Sequence, residues 1–359
     1  MIKLPKFFSP TSHKRLCPDV KRVAILRDDH LGDLVYTLPM ARALAQQGIE
    51  THFFLPDYTR VLAQQYANGN ELIHVHAMEQ INNIFKDLKV DVLIIPNAKT
   101  LVIHRETITK LRRYGAFVIA RAQQLRSLWT ADALMFLPKK LKFHLHESQI
   151  NLALLQPVLR DIKHCMQLNQ MDMSLPKPQL ALDLFSTSVW QQAKFKLLVH
   201  LGSNGNGREW PLGRFVALIR ELTQQHGVAV WLTGSAKEAE RFKAQAPELF
   251  EMPQVYSTFG LYSLPEFMSL IAHADGLIAN GTGPLHLAGM CGIKSLGLFP
   301  NAWRIGAQRW RPLSRFGSTL SASSCSQGCA KNCACIEQIS IEQVMNVVQG
   351  WLSQSNDSV

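Results

Sequence analysis

Short apolar runs alternate with longer amphipathic segments along the first half of the chain. The runs are rich in Val, Ile and Leu, and the segments between them carry apolar residues at helical spacing. This alternation predicts a parallel sheet with helices on both faces, an α/β fold. The predicted strands cover residues 23–26, 51–55, 72–75, 91–95 and 116–119.

The second half repeats the pattern after a predicted long helix over 147–167 and a segment broken by Pro176 and Pro178. At 359 residues the chain exceeds the size of about 250–300 residues that one core usually reaches, so two domains are expected. Strands are predicted at 197–201, 228–233, 276–279 and 295–299. The predicted organisation is a basic N-terminal arm (1–22), an N-terminal Rossmann-like domain (23–180), a C-terminal Rossmann-like domain (195–340) and a final helix in 341–359 that packs back across the hinge.

The turn after the first strand carries an acidic side chain, Asp33, directly after Gly32. Open α/β sheets bind ligands beyond the carboxyl ends of their strands, which is where this turn lies. Amides of the first helical turn could hold the carboxylate there, so Asp33 is a candidate general base. The alternative is that Asp33 only caps the helix predicted over 34–44.

Two later turns have residues suited to binding an anion. The loop after the strand at 197–201 is small and polar, contains Ser203 and Asn204, and continues through Arg208 to a proline at the start of a helix. The turn after the strand at 276–279 brings the amides of Thr282 and Gly283 to a helix N-terminus. Such amides and a nearby guanidinium can bind a diphosphate.

Four motifs in this order resemble the heptosyltransferase family (glycosyltransferase family 9), the enzymes that build the inner core of bacterial lipopolysaccharide. They are the Gly32-Asp33 turn, the block 208–211 (Arg-Glu-Trp-Pro), the turn 234–237 and the turn 283–286, and the match extends over nearly the whole chain. The resemblance implies a GT-B architecture, with two Rossmann-like domains facing across a cleft. It also implies inverting transfer of a heptose from ADP-heptose to the lipopolysaccharide core.

The resemblance also assigns roles to individual residues. Asp33 is expected to be the catalytic base that activates the acceptor hydroxyl. The expected donor-binding residues are Ser203 and Asn204 in the phosphate-binding loop, Arg208 on the diphosphate, and Thr282, Gly283 and His286 in the last turn. A helix-face position without contact to the donor is the alternative for His286.

Two positions depart from the family pattern and keep other functions open. The family commonly has Lys where Arg208 stands, and it usually has Asp where this chain has Gly281. The second change leaves the donor sugar open. The alternatives are the same fold with a different nucleotide-sugar donor, a nucleotide-sugar epimerase that needs no acceptor, and a non-catalytic GT-B-fold binding protein.

The sequence favours a reaction without a metal or cofactor. It contains no Asp-x-Asp triplet, the motif with which sugar transferases of the other major architecture hold a divalent cation. We therefore expect no catalytic metal and no cofactor besides the ADP-sugar substrate. A cluster of four cysteines near the C-terminus could share a structural metal or could be ordinary reduced thiols: Cys325, Cys329, Cys333 and Cys335.

The formal charge of +11 is concentrated in the N-terminal half. Residues 99–146 contain ten Lys and Arg against Glu106 and Asp132, and Arg112, Arg113 and Arg121 are the expected contacts for an anionic lipopolysaccharide acceptor. Nucleic acid is not expected, because stacking aromatics and a binding module are lacking. With no signal peptide or membrane span, we expect a cytoplasmic protein on the inner-membrane surface. Its basic arm, with Phe7 and Phe8, either contacts that surface or is a disordered tail.

Overall fold

The computed structural model describes residues 6–8, 19–121, 131–137, 144–159, 162–167, 174–176, 178, 180–203, 205, 207–325 and 333–356. The chain divides into two compact units, Met1–Met173 and Ser174–Val359. Within the described residues, no helix is both long enough and apolar enough to span a bilayer.

The N-terminal unit contains one seven-stranded sheet with the order β1-β7-β6-β5-β2-β3-β4. Six strands run parallel, as the alternation predicts, and β1 pairs antiparallel with β7 at the edge. The central strands are fully buried, which explains their continuous apolar runs. The strands are β1 (Lys6–Phe8), β2 (Arg22–Leu26), β3 (Glu50–Leu55), β4 (Ile73–Ala77), β5 (Val92–Ile95), β6 (Phe117–Arg121) and β7 (Ala133–Phe136).

The edge strand β1 corrects one expectation for the N-terminal arm. Residues 6–8 pair with 134–136, so the disordered-tail alternative is wrong for this part of the arm. The sequence analysis also did not predict strand β7, because the apolar run around it is short and follows a polar segment.

Helices cover both faces of this sheet. The structure begins the first helix at Leu31 and interrupts it at Tyr36 and Thr37, so the helix predicted over 34–44 is two helices. The long helix predicted over 147–167 is also wrong, since two short helices lie there with turns between them. The helices are α1 (Leu31–Val35), α2 (Leu38–Ala45), α3 (Asp57–Ala67), α4 (Ile81–Asp87), α5 (Ala98–Ile103), α6 (Arg105–Arg113), α7 (Glu147–Ala153) and α8 (Ile162–Cys165).

The C-terminal unit contains a six-stranded parallel sheet with the order β10-β9-β8-β11-β12-β13. Four of its strands lie where the sequence predicts them, and the short outer strands β10 and β13 were missed. The strands are β8 (Phe195–His200), β9 (Val228–Thr233), β10 (Val255–Ser257), β11 (Gly276–Asn280), β12 (Lys294–Phe299) and β13 (Gly317–Ser321).

The helices of this unit begin where their capping residues predict. Ser235 and Ser263 each form a reciprocal capping box with a glutamate three residues later. The last helix belongs to the C-terminal core through Val344, Val348 and Trp351, and its return across a hinge stays a prediction. The helices are α9 (Ser188–Gln192), α10 (Leu212–Thr223), α11 (Ala236–Gln245), α12 (Leu264–His273), α13 (Gly283–Cys291), α14 (Ala307–Trp310) and α15 (Ile341–Asn356).

Candidate active site

Each sheet reverses its strand order once, and the predicted functional turns lie at those two points. In the N-terminal sheet the chain passes from β2 outward to β3 and β4 and then returns to β5 on the other side of β2. In the C-terminal sheet β8 is followed by β9 on one side and by β11 on the other. Crevices at such switch points are where open α/β sheets bind ligands.

The Asp33 carboxylate lies at the first switch point and is held by a buried arginine. Asp33 is the third residue of α1, whose N-cap is His30, so the alternative that Asp33 caps its helix is wrong. Its Oδ1 atom accepts a hydrogen bond from Arg27 Nη2 at 3.0 Å. Arg27 is 2% exposed and also donates from Nη1 to Thr37 Oγ1 at 2.6 Å. The carboxylate is thus fixed by a side chain and not by helix amides, and its own side chain remains 23% exposed.

Asp29 forms a second ion pair with the same arginine. Its two oxygens accept from Arg27 Nε at 2.6 Å and from Arg27 Nη2 at 3.0 Å, a bidentate pair. Asn97, which follows β5, donates to Asp29 Oδ2 at 2.6 Å, and the Tyr58 hydroxyl donates to the Asp29 carbonyl at 2.5 Å. These bonds tie the turn after β2 to the turn after β5, across the switch point.

Asp28 faces the other way and is satisfied by helix α5 and its C-terminal neighbour. It accepts from the Thr100 hydroxyl and contacts His104 Nε2 at 2.9 Å.

The environment of Asp33 favours a carboxyl group that can exchange its proton near neutral pH. The pKa of Asp33 is raised to about 6, mainly by burial and also by the carboxylates of Asp29 and Glu147, while Arg27 and His30 oppose the rise. For Arg27, burial acts to lower the pKa, but Asp29 and Asp33 outweigh it, so the pKa stays above its ordinary value and the guanidinium stays charged. A general base with a pKa near the working pH can both accept and release a proton.

The three arginines predicted to bind the acceptor do not form one surface. Arg121 ends β6 at the carboxyl edge, and its Nη1 pairs with Glu147 Oε1 at 2.7 Å. Arg112 and Arg113 end α6 and precede β6, which puts them at the amino edge of the sheet. Arg112 pairs with Asp132 there, and Arg113 is exposed. The three residues thus lie at opposite edges of the sheet, and their contact with the acceptor stays a prediction.

At the second switch point, Glu209 accepts hydrogen bonds from the predicted phosphate-binding loop. The backbone amide of Ser203 donates to Glu209 Oε1 at 2.8 Å, and the Ser203 hydroxyl donates to the same oxygen at 3.1 Å. Arg241 forms an ion pair with Glu209 at 3.1 Å. Both donors of Ser203 therefore already bind the Glu209 carboxylate, and binding of a phosphate by this loop stays a prediction. Asn204 lies outside the described residues.

A buried asparagine that sequence reasoning missed joins the two donor-site turns. Asn280 is fully buried, donates from Nδ2 to the Leu201 carbonyl at 2.8 Å and accepts from the Trp210 amide at 2.9 Å. Trp210 in turn donates from its indole to the Ile339 carbonyl at 3.0 Å. Because Trp210 directly follows the Arg208-Glu209 pair, these bonds hold the half-buried Arg208 segment beside the turn 281–283. A polar residue ending an otherwise apolar strand was the available sequence signal.

The last turn presents the N-terminus of α13. Thr282 is the N-cap and donates its hydroxyl to the Asn280 carbonyl at 3.2 Å, while Gly283 is the first helical residue. His286 is 4% exposed, and its ring centroid lies 6.2 Å from that of Trp310. His286 is therefore packed on a face of its helix, as the alternative expects. The contact of His286 with the donor stays a prediction.

The departure at Gly281 has a steric cause. A Cβ atom at this position would lie 2.4 Å from Cε1 of Phe299, at the end of the neighbouring strand β12. The Phe299 ring is fully buried and occupies the space that a side chain would need. An aspartate at 281 would require this ring to move.

Three of the four clustered cysteines are described, and they lie together. The sulfur atoms of Cys325, Cys333 and Cys335 are all within 4.8 Å of one another, and those of Cys325 and Cys333 are 3.2 Å apart. The hydrogen bond with Cys325 raises the pKa of the Cys333 thiol above its ordinary value. These sulfur atoms are near enough to share a metal ion, and Cys329 lies outside the described residues.

Solved structures of similar fold come from the family named by the motifs. The chain matches a glycosyl transferase family 9 protein from Veillonella parvula with a TM-score of 0.72 at 15% identity, over 94% of this chain and 98% of that one. It matches the E. coli ADP-heptose lipopolysaccharide heptosyltransferase II with a TM-score of 0.68 at 16% identity, over 94% and 99%. E. coli heptosyltransferase WaaC with ADP gives 0.60 at 15% identity, over 92% and 99%. The predicted GT-B fold class, with two Rossmann-like domains, is confirmed.

Sequence comparison gives the family itself. A putative glycosyltransferase from Haemophilus influenzae is 29% identical over 123 residues, which are 33% of this chain and only 34% of that relative's length. The family model described as glycosyltransferase family 9 (heptosyltransferase) matches residues 138–337. Because this match covers more than half of the chain, the protein belongs to glycosyltransferase family 9, the heptosyltransferase family.

Proposed function

We propose that this protein is an inverting, metal-independent glycosyltransferase that moves a heptose from ADP-heptose to the anionic inner core of lipopolysaccharide. The observation that carries the proposal is the Asp33 carboxyl group, which is fixed by Arg27 at a switch point and has its pKa raised to about 6. A carboxylate in that state can take a proton from an acceptor hydroxyl at neutral pH.

The reaction needs one proton transfer and one displacement. Asp33 accepts the proton as the acceptor oxygen attacks the anomeric carbon, the new glycosidic bond forms on the face opposite the nucleotide, and the bond to the diphosphate oxygen breaks. ADP leaves with the electron pair. The guanidinium of Arg208 and the amides of Thr282 and Gly283 stabilise the negative charge on its diphosphate. These groups replace a metal ion in this role, so no cofactor is required.

Arg27 and Asp29 act on the base without contacting substrate. Arg27 restrains the Asp33 carboxylate in one orientation and prevents its pKa from rising further, while Asp29 fixes Arg27 through a bidentate pair. Loss of either residue would change the pH range in which Asp33 is ionised.

The donor and the acceptor are inferred from chemistry and from similar proteins. The structural neighbours include heptosyltransferases bound to ADP and to ADP-2-deoxy-2-fluoro heptose, which supports an ADP-sugar here. The excess of basic residues over 99–146 supports a phosphorylated lipid acceptor and a peripheral position on the cytoplasmic side of the inner membrane, although Arg126, Lys139, Lys140 and Lys142 lie outside the described residues. Sedimentation with anionic vesicles but not with neutral vesicles tests that position.

One observation favours a nucleotide-sugar donor other than ADP-heptose. Phe299 fills the space beside Gly281, where the family usually has an aspartate, so this turn differs from the family pattern in shape and charge. A panel of nucleotide sugars in a thermal-shift assay separates the candidates, because a ligand at about 100 times its dissociation constant adds about 2.7 kcal/mol of stability. If another nucleotide sugar gives the largest thermal shift, the assignment of the donor changes and the proposed mechanism stays the same.

The direct test measures ADP release from ADP-heptose with a core-lipid acceptor in excess EDTA. Turnover at the rate found without EDTA is expected. Strict dependence on added metal would contradict the mechanism. ADP release that needs no acceptor would indicate hydrolysis, and conversion of the ADP-sugar to another ADP-sugar without acceptor would indicate epimerisation.

A further inference from the structure

A cluster of three histidines and one glutamate lies in the N-terminal unit, apart from the residues assigned to catalysis. Glu50 and His52 alternate on β3, so both side chains point to the same face of the sheet. His74 and His76 alternate in the same way on β4, and His52 is in register with His74. The parallel pairing therefore puts four potential ligands on one face of two adjacent strands.

The ligand atoms converge more closely than their sequence positions require. Single ligand atoms of Glu50, His52 and His74 all lie within 4.8 Å of one another. The His52 and His74 rings are stacked, with centroids 4.6 Å apart. His52 Nε2 and Glu50 Oε2 are 3.6 Å apart, which is too far for a hydrogen bond. It is close to the separation of about 3.4 Å expected for two ligand atoms on a tetrahedral zinc ion.

His52 supplies an independent sign that a ligand is needed. Its side chain is 4% exposed, and its Nε2 atom is buried without a hydrogen-bond partner. The other ring nitrogen, Nδ1, lies 3.0 Å from His76 Nε2. If Nδ1 donates its proton to His76, the Nε2 lone pair faces the Glu50 carboxylate. The buried Nε2 acceptor then points at a carboxylate that is one-third exposed, which is unfavourable unless a cation lies between them.

One charged group already contacts the cluster. Arg22 Nε donates to Glu50 Oε2 at 2.9 Å, but a carboxylate has enough acceptor sites to bind an arginine and a metal together.

We propose that Glu50, His52 and His74 bind a zinc ion, or a similar divalent transition metal, with His76 as the hydrogen-bond acceptor that orients His52. Two imidazoles and one carboxylate are a ligand set that zinc accepts. A histidine ligand usually donates its second ring N–H to such an acceptor. Glu50 and His74 are partly exposed, so a water molecule can complete the coordination.

The position of the cluster indicates a structural or regulatory role. Glu50 and His52 occupy the first half of β3, toward the amino edge of the sheet, whereas Asp33 follows the carboxyl end of β2. The metal would connect β4, the last strand on that side of the sheet, to β3. It would stabilise the N-terminal unit without taking part in glycosyl transfer, so the proposal does not depend on the function proposed above.

Calorimetric titration of the metal-free full-length protein with Zn²⁺ tests the site. The variants Glu50→Gln and His74→Gln alter partly exposed residues, which limits the risk to folding, and His226→Gln changes an exposed histidine in the C-terminal unit as a matched control. Each ligand variant should lose one zinc equivalent, or bind it at least about 100-fold more weakly, and His76→Gln should weaken it by about 10- to 100-fold. The control should match the wild type.

The cysteine cluster is a possible second zinc site, and Co²⁺ distinguishes the two. Thiolate ligation gives a sulfur-to-metal charge-transfer band, which nitrogen and oxygen ligands do not give. The equivalent lost in His74→Gln should be the one without this band. Wild-type zinc stoichiometry and affinity in both Glu50→Gln and His74→Gln would overturn the proposal, as would loss of only the thiolate-bound metal.

Discussion

The two switch points of this protein contain different kinds of hydrogen-bonding groups. At the N-terminal one, charged side chains are buried together: Arg27 is surrounded by Asp29, Asp33 and Thr37. At the C-terminal one, a small polar loop and the start of α13 supply backbone amides, held in place by the neutral side chain of Asn280. One arrangement holds a carboxyl group near its protonation midpoint, and the other offers fixed donors to an anion.

This difference is consistent with the division of chemical roles that the proposed function requires within one repeated fold. A proton acceptor needs a tunable pKa, which requires burial and opposing charges. A diphosphate needs several fixed hydrogen-bond donors and little else. The same Rossmann-like topology positions both, because each uses the carboxyl edge of its sheet.

The largest effect is expected from removing the central charge of the N-terminal site. Arg27→Met should lower the free energy of unfolding by about 3–5 kcal/mol, because it leaves the Asp29 and Asp33 carboxylates without their counter-charge in a buried position. Denaturant unfolding measures this. Arg60→Met, which breaks the solvent-exposed pair with Asp57, is the control and should cost less than about 1 kcal/mol. Equal losses would mean that the buried pairing does not stabilise the unit.

The next effect concerns the C-terminal site. Arg208→Ala should weaken ADP binding by about 10- to 100-fold, since a hydrogen bond to a charged group contributes about 1.5–3 kcal/mol. Arg220→Ala removes an exposed arginine from α10 and should bind ADP like the wild type. Calorimetry measures both. If the wild type binds neither ADP nor any other nucleoside diphosphate at millimolar concentration, the non-catalytic binding protein of this fold becomes the better account.

The positions of these sites could be predicted from the sequence, but their internal contacts could not. Strand-turn-helix patterns place Asp33, Ser203 and Thr282 at sheet edges, because strand direction alone decides which edge a turn occupies. The partners of those residues are distant in sequence. Asn97 reaches Asp29 and Asn280 reaches Trp210 only after strand order is fixed, and strand order is not encoded in local periodicity.

Charge counting does not locate charges for a related reason. Arg112, Arg113 and Arg121 are close in the sequence. The strand β6 lies between them, so the first two and the third are at opposite edges of the sheet. Net charge over a segment does not give the direction in which its side chains point.

The pH dependence of turnover sharpens the comparison further. The pKa of Asp33 is raised to about 6, so kcat/KM should rise with pH through a midpoint near 6 as the base ionises. The protonated form is favoured in the folded state, so the contribution of Asp33 to stability is present below its unfolded pKa of about 3.9 and is lost as pH rises through about 6. Unfolding free energy measured across this range should fall in the wild type relative to Asp33→Asn. A midpoint near 4 would mean that burial does not tune this carboxyl group.

The smallest effect on turnover is expected from the basic residues Arg112, Arg113 and Arg121, whose loss of charge should weaken acceptor use while ADP-sugar binding stays nearly unchanged. Single variants separate the three residues. Arg113 is exposed and is reversed to Glu, whereas Arg121 pairs with the buried Glu147 and is changed to Gln. Arg121→Gln at the carboxyl edge should impair the acceptor step more than Arg113→Glu at the amino edge. The Arg113 effect should vanish at 1 M salt, where the Debye length is about 3 Å. Equal loss of donor binding in any of these variants would contradict the division between the two units.

The most direct test of that division is the variant Asp33→Asn, which keeps the shape of the side chain and an acceptor for Arg27. Turnover of ADP-heptose with a core-lipid acceptor should fall by about 10²- to 10⁴-fold, while the dissociation constant for ADP stays within about twofold of the wild type. Near-normal turnover would show that Asp33 is not the base. A parallel loss of ADP binding would show that the two sites do not work separately.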